Sequence, residues 1–158
     1  MSAAPIRVLL VDDEPMIVET IRMILDFETD WVVDTCTRPA EALERLNGEP
    51  YDVVVSDFLM PEMDGVEFLG KARERQPHAS RILLTGYADK GNAIRSINEV
   101  GLYHYLEKPW DNQALLLILR NAAERSRLLR EMDETIKRLE ASDRRLADLR
   151  SRLIREFL

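Results

Sequence analysis

Asp52-Val53-Val54-Val55-Ser56-Asp57-Phe58-Leu59-Met60-Pro61-Glu62-Met63-Asp64-Gly65 is the stretch that decides the fold. A β-branched apolar run ends abruptly in a carboxylate, and a turn punctuated by Pro61 and Gly65 follows. A short run of this kind, bounded by turn signals, marks a strand buried on both faces of a parallel sheet. Asp57 is then the first charge past a buried strand, tolerated where the strand's end opens onto a polar crevice. In open α/β sheets ligands bind outside the carboxyl ends of the strands. Taken alone, Asp57 can equally be a cap on the following turn, a common use of Asp. The neighbouring segments decide between the two.

Working outward, further strands are expected at residues 6–11, 31–35, 81–85 and 102–106, beside the one just quoted. Helices fall between them. Pro15 suits a first helical turn, with an acid just before it as cap, and Met16, Ile17, Ile21, Ile24 and Leu25 follow at helical spacing. The next helices are read at 39–46, ending at Asn47-Gly48, and at 66–75, ending before Pro77. Another is read at 90–100, ending at Gly101 in the position of a left-handed cap. Strand–helix five times over implies an α/β fold: a five-stranded parallel sheet, doubly wound, with helices on both faces.

The last helix does not stop. From Asp111 to Phe157 there is no Pro or Gly, so an unbroken helix would run about 70 Å. Leu129, Met132, Ile136, Leu139, Leu146, Leu153 and Phe157 form a heptad seam along it, with Asp143 and Arg150 as polar gaps. The expected division is a sheet domain over 1–123 and a coiled-coil segment over 124–158. A helix folded back on its own domain is the competing reading. A two-stranded coiled coil, preferably parallel, is favoured because a lone helix would leave the stripe exposed.

Composition narrows the function. Of 158 residues 46% are hydrophobic and 32% charged, with a net charge of −7. Residues 1–120 carry 12 Lys/Arg against 21 Asp/Glu, whereas residues 121–158 carry 10 against 8. An acidic body argues against direct nucleic-acid binding by this segment. Cys36 is the only cysteine, so no internal disulfide forms, which fits a reducing cytoplasm. No apolar run approaches the ~20 residues that span a bilayer, so no membrane association is expected. With two His and one Cys, a zinc site is not expected.

The strand ends carry the chemistry. Asp12 and Asp13 follow the first strand, Asp57 ends the third, Thr85 the fourth and Lys108 the fifth. Parallel strands share a carboxyl end, so all five project from one edge. Three carboxylates that close would repel each other. A hard divalent cation removes the conflict, and an all-oxygen site suits Mg²⁺. One carboxylate can then attack a phosphoryl donor to give an aspartyl phosphate. A lysine ammonium would pair with the phosphoryl oxygens, and a threonine hydroxyl would donate to them.

The ordered set Val11-Asp12-Asp13-Glu14, Ser56-Asp57, Met60-Pro61, Met63-Asp64-Gly65, Thr85-Gly86 and Lys108-Pro109 resembles the receiver domains of two-component response regulators, the chemotaxis-regulator fold. The resemblance covers about residues 5–125 and implies the flavodoxin-like strand order 2-1-3-4-5. It implies that Asp57 is the phosphoacceptor, phosphorylated by a sensor histidine kinase or phosphotransfer protein. Asp13 and Asp57 would ligate Mg²⁺, Asp12 through water, and Leu59 through its backbone carbonyl. Lys108 would hold the phosphoryl group, Gly86 would leave room for it, and the Lys108–Pro109 peptide would be cis. Thr85 and Tyr105 would be the switch pair, although strand alternation alone also explains an aromatic at 105. His104 would point the other way, into solvent, and His78 is not expected to be a ligand.

Three readings of function compete. The first is a phosphorylation switch acting through the fourth helix, fifth strand and fifth helix, and then through a homodimeric coiled coil. Its output domain is expected beyond residue 158. The second is a phosphohydrolase of the haloacid-dehalogenase type, which wants an acid/base Asp two residues after the nucleophile. Leu59 stands there, so that reading is poor and no enzyme is expected. The third is a stand-alone dimeric adaptor or scaffold. Leu59 and Tyr87 are bulky and would shield an acyl phosphate at Asp57 from water.

Overall fold

Apolar runs and helical stripes alternate along the chain, and the secondary structure follows them. The computed structural model describes residues 4–86, 89, 91, 94–95 and 101–157. Its elements are β1 (Arg7–Val11), α1 (Pro15–Glu28), β2 (Val32–Cys36), α2 (Pro39–Arg45), β3 (Val53–Asp57), α3 (Gly65–Arg75), β4 (Ser80–Thr85), β5 (His104–Glu107) and a last helix, α4 (Asn112–Phe157). Of the helix expected at 90–100, only Gly91, Ile94 and Arg95 are among the described residues, and these are helical.

The five strands form one sheet in the order β2-β1-β3-β4-β5, with every neighbouring pair parallel. This is the doubly wound, flavodoxin-like order. Both faces are covered, which is why the central strands read as continuous apolar runs. Val8 and Leu10 of β1 pack with Val53 and Val55 of β3 against Ile21 and Leu25 of α1 and Leu115 and Leu119 of α4. The alternate residues Leu9, Val11 and Val54 face the other way, against Leu43 of α2 and Phe68 and Leu69 of α3. Each fully buried Leu contributes about 1.5–3 kcal/mol. Two such layers hold β1 and β3 rigidly at the centre.

The differences from the expected elements are local. β5 begins at His104 rather than at 102: Gly101 turns the chain with φ of 65°, and Leu102 is buried before the ladder starts. The expected acidic side-chain cap on α1 is absent. Glu14 occupies the cap position without a side-chain cap bond, and its backbone N–H is taken instead by Asp12 Oδ1 at 2.9 Å. That bond ties down one carboxylate of the site.

Contacts divide the chain into two compact units, Met1–Ser126 and Arg127–Leu158. The first holds the sheet. In the second, Met132, Ile136, Leu139, Leu146, Leu153 and Phe157 are all exposed, and Leu129 is half-buried. Among the described residues no helix is long and apolar enough to cross a membrane.

Candidate functional site

The strand order reverses at β1, with β2 on one side and β3 on the other. The crevice at the carboxyl ends of β1 and β3 is therefore the topological switch point, where open α/β sheets bind ligands. Asp12 and Asp13 leave β1 there, and Asp57 closes β3. Asp12 and Asp57 are buried, and Asp13 is half-buried. One carboxylate oxygen from each of the three lies within 4.8 Å of the others.

Lys108 reaches this cluster from the turn after β5. Its backbone N–H donates to Thr85 O at 2.8 Å, continuing the sheet ladder by one residue. Its Nζ donates to Asp57 Oδ1 at 2.8 Å and lies 3.6 Å from Asp12 Oδ2. The Lys108–Pro109 peptide is cis. Burial alone would lower the lysine pKa. The hydrogen bond and charge of Asp57, with Asp12 and Glu14, outweigh burial and hold it above the ordinary value. Lys108 is thus fixed as a cation.

Asp12 behaves oppositely. Burial pushes its carboxyl up to about 6, with the Asp57 and Asp13 charges adding, against the lowering effects of the Glu14 backbone N–H and Lys108. Asp12 Oδ2 is buried without a hydrogen-bond partner. Three convergent carboxylates, one with an unsatisfied buried oxygen, fit a hard divalent cation such as Mg²⁺.

The remaining sequence-derived residues fall around this centre. Thr85 ends β4, fully buried, and its Oγ1 has no hydrogen-bond partner among the described residues. Leu83 pairs with Tyr105 and Thr85 with Glu107, so Thr85 and Tyr105 share one face of the sheet. Tyr105 is half-buried there, packed on the layer that includes Leu83 and Phe68. His104, on the opposite face from Tyr105, is exposed. Leu59 is 61% exposed just past Asp57. Among the described residues a Cβ on Gly86 would meet only Asp89 Oδ2, at 3.7 Å, an ordinary contact. Tyr87 lies outside the described residues.

Two positional devices escaped the sequence reading. Asp64 caps α3, its side chain accepting from the Glu67 backbone N–H at 2.8 Å. An Asp directly before a helical run is the signal that marks it. Gly65, read as a turn residue, is a packing residue: a Cβ there would lie 2.0 Å from Asp57 O.

A doubly wound parallel sheet with three carboxylates and a lysine at its switch point defines a flavodoxin-like protein with an acidic, cation-ready edge. The response regulator receiver domain model matches residues 8–120, and the chain belongs to that family. It is 39% identical over 132 residues to the hydrogenase transcriptional regulatory protein HoxA of Cupriavidus necator, covering 84% of this chain and 27% of that one. It is 36% identical to the transcriptional regulatory protein GlrR of Escherichia coli, covering 80% and 28%. The chain thus spans about a quarter of the length of these relatives. Among solved structures, the signal receiver domain of an HD domain-containing protein from Pseudomonas fluorescens Pf-5 superposes with a TM-score of 0.73 at 35% identity, covering 78% of this chain and 98% of that one. The crystal structure of adenylate cyclase from Rhodopirellula baltica superposes with a TM-score of 0.80 at 30% identity, covering 85% of this chain and 98% of that one.

Proposed function

We propose that the chain is a phosphorylation-controlled signalling switch with Asp57 as phosphoacceptor and a sensor histidine kinase or phosphotransfer protein as donor. It acts in the cytoplasm and is a signalling domain rather than an enzyme. The observation that carries this reading is the convergence of Asp12, Asp13 and Asp57 on one point, with Lys108 bonded to Asp57 Oδ1 at 2.8 Å. A carboxylate oxygen of Asp57 attacks the donor phosphorus. The bond to the donor imidazole breaks, and the electron pair stays on that nitrogen, which takes up a proton from solvent. Asp12, Asp13, Asp57 and the Leu59 carbonyl would hold Mg²⁺, which when bound neutralises charge on the transferring group.

Phosphorylation consumes the charge that Lys108 now pairs with. Lys108 is then free to turn to the phosphoryl oxygens, and the unpartnered Thr85 hydroxyl supplies a second donor. Gly86 adds no side chain in the way. Movement of Thr85 leaves space on the face it shares with Tyr105, and inward rotation of Tyr105 carries the change to β5 and the first turns of α4. The helical segment 124–158 passes it on through a coiled-coil homodimer to an output domain. Transcriptional regulation is the output suggested by the HoxA and GlrR relatives.

The test is direct. The protein is incubated with Mg²⁺ and a small acyl phosphate, and its intact mass is measured. One added phosphoryl group is expected, absent when the metal is chelated before the donor is added and absent in Asp57→Asn. Labelling that persists in Asp57→Asn overturns the assignment.

A further inference from the structure

The segment 127–157 carries two heptad seams, and they make different dimers. This inference rests on the proposed homodimer and concerns the face it uses. The seam through Ile136 leaves Leu128 and Leu149 outside it, although they are 59% and 51% exposed. It also places Asp143 and Arg150 at two a positions. In a parallel, in-register homodimer each a residue faces its own copy. Asp143 would stack on Asp143 and Arg150 on Arg150, two like-charge layers inside a desolvated seam.

A second repeat runs along the same helix. Leu128, Met132, Leu139, Leu146, Leu149 and Leu153 fall at alternating spacings of four and three once Thr135 and Ser142 are counted at the two gaps. It shares Met132, Leu139, Leu146 and Leu153 with the first. At 3.5 residues per turn the two seams are related by a helix rotation of about 50°. In the second repeat Asp143 and Arg150 move to e positions at the rim. There a g residue faces the e residue five places on in the other copy. Arg138 therefore meets Asp143, an opposite-charge pair. Arg145 meets Arg150, a like-charge pair left in solvent, where screening weakens it. The next position, Glu156, lies in the last turn, where helix ends fray. The first seam has one more apolar residue, which does not offset four desolvated charges.

We propose that the chain dimerises in parallel through the second repeat, with a second copy of itself covering the exposed stripe. Its core is Leu128, Met132, Leu139, Leu146, Leu149 and Leu153.

Disulfide trapping in the whole chain, with Cys36→Ala as background, reads the register. Thr135→Cys and Ser142→Cys report the second repeat, and Ile136→Cys and Asp143→Cys report the first. Seam positions of a parallel dimer bring Cα atoms within disulfide range, so the first pair is expected to cross-link about tenfold faster than the second. Light scattering on the background protein is expected to give the mass of a dimer. A dimer in which 136 and 143 cross-link faster keeps the dimer and overturns the register. A dimer in which none of the four cross-links overturns the parallel arrangement. A monomer overturns the dimer reading itself.

Discussion

A methyl group on Gly65 would sit 2.0 Å from the carbonyl oxygen of Asp57 and 2.9 Å from its carbonyl carbon. The first turn of α3 is pressed against the end of β3, and the Gly65 N–H donates to Phe58 O at 2.8 Å. Neither contact can yield cheaply, because both are backbone at the proposed phosphoacceptor. Gly65→Ala is therefore expected to cost about 3 kcal/mol, the upper end of overpacking penalties, and to disturb Asp57. Gly86→Ala is the matched control, since among the described residues its Cβ would meet only Asp89 Oδ2 at 3.7 Å. A cost below about 0.5 kcal/mol is expected there. Urea unfolding of the two variants checks both, and equal midpoints would refute the packing role of Gly65.

Glu62 is the one described non-glycine residue with positive φ, at 71°. The Met63 N–H donates to Pro61 O at 2.7 Å across it, closing a γ-turn of the strained hand. Holding a non-glycine residue there costs about 1–3 kcal/mol, and glycine relieves that for an entropic loss of about 0.5–1. Glu62→Gly should stabilise the domain by about 1 kcal/mol, whereas Glu62→Val should destabilise it by a similar amount. Opposite shifts in unfolding midpoint are the expected result. Shifts of the same sign would mean the turn is not strained at this residue.

What could be read ahead of the structure followed from burial. β1, β3 and β4 are short apolar runs because both faces of the sheet are covered, so their positions and the polar residues that end them were visible. The start of β5 was misjudged because Leu102 is apolar for a different reason: it is buried in the approach from the Gly101 turn. Glu14 stands at the α1 cap as expected but makes no side-chain cap bond: Asp12, Asp13 and Glu14 are interchangeable by type, and only geometry shows Asp12 bonding to the Glu14 backbone. The turn at Glu62 carries no sign in its residue type, since Gly or Asn is the ordinary occupant of positive φ. The Lys108–Asp57 bond joins residues 51 apart. No local pattern announces such a pair; the shared carboxyl edge of parallel strands put both residues at one site, and the resemblance to receiver domains gave Lys108 its role.

Asp12 makes stability depend on pH in a stated direction. Its folded pKa of about 6 lies above the ordinary 3.8. The folded state therefore holds its proton more tightly than the unfolded chain. The stabilising contribution is full below about pH 4 and is lost as pH rises through about 6. The loss is on the order of 3 kcal/mol at about 1.4 kcal/mol per pKa unit. In metal-free protein, the stability of Asp12→Asn relative to wild type should rise between pH 4.5 and 7.5. Mg²⁺ should restore wild type, but not the variant, at the higher pH. A wild-type-minus-variant difference that stays constant across this range would mean that burial of Asp12 is not what sets its ionisation.

Cys36 should be inert while the protein is folded. It is 3% exposed at the end of β2, and burial pushes its thiol up to about 11. Only the thiolate reacts at a useful rate. A thiol-reactive dye should label the native protein negligibly at pH 7.5 and stoichiometrically in denaturant. Fast native labelling would place Cys36 at an opening edge of the sheet.

Leu59 sets the expected lifetime of the phosphorylated state. It stands two residues past Asp57, just beyond the end of β3, and is 61% exposed rather than part of the core. Hydrolysis of an aspartyl phosphate needs a water placed in line with the phosphorus. A polar side chain at this position can hold such a water, whereas an isobutyl group offers no hydrogen bond and occupies the approach. Leu59→Asn should therefore speed loss of the phosphoryl group about three- to tenfold, a barrier change of about 0.7–1.4 kcal/mol. The exposure of Leu59 means that its replacement should leave the unfolding midpoint nearly unchanged, which separates a kinetic effect from a folding defect. The measurement is the decay of phosphorylated protein in Mg²⁺ after the donor is removed. Equal decay in wild type and variant would show that water reaches the phosphorus along a path Leu59 does not guard.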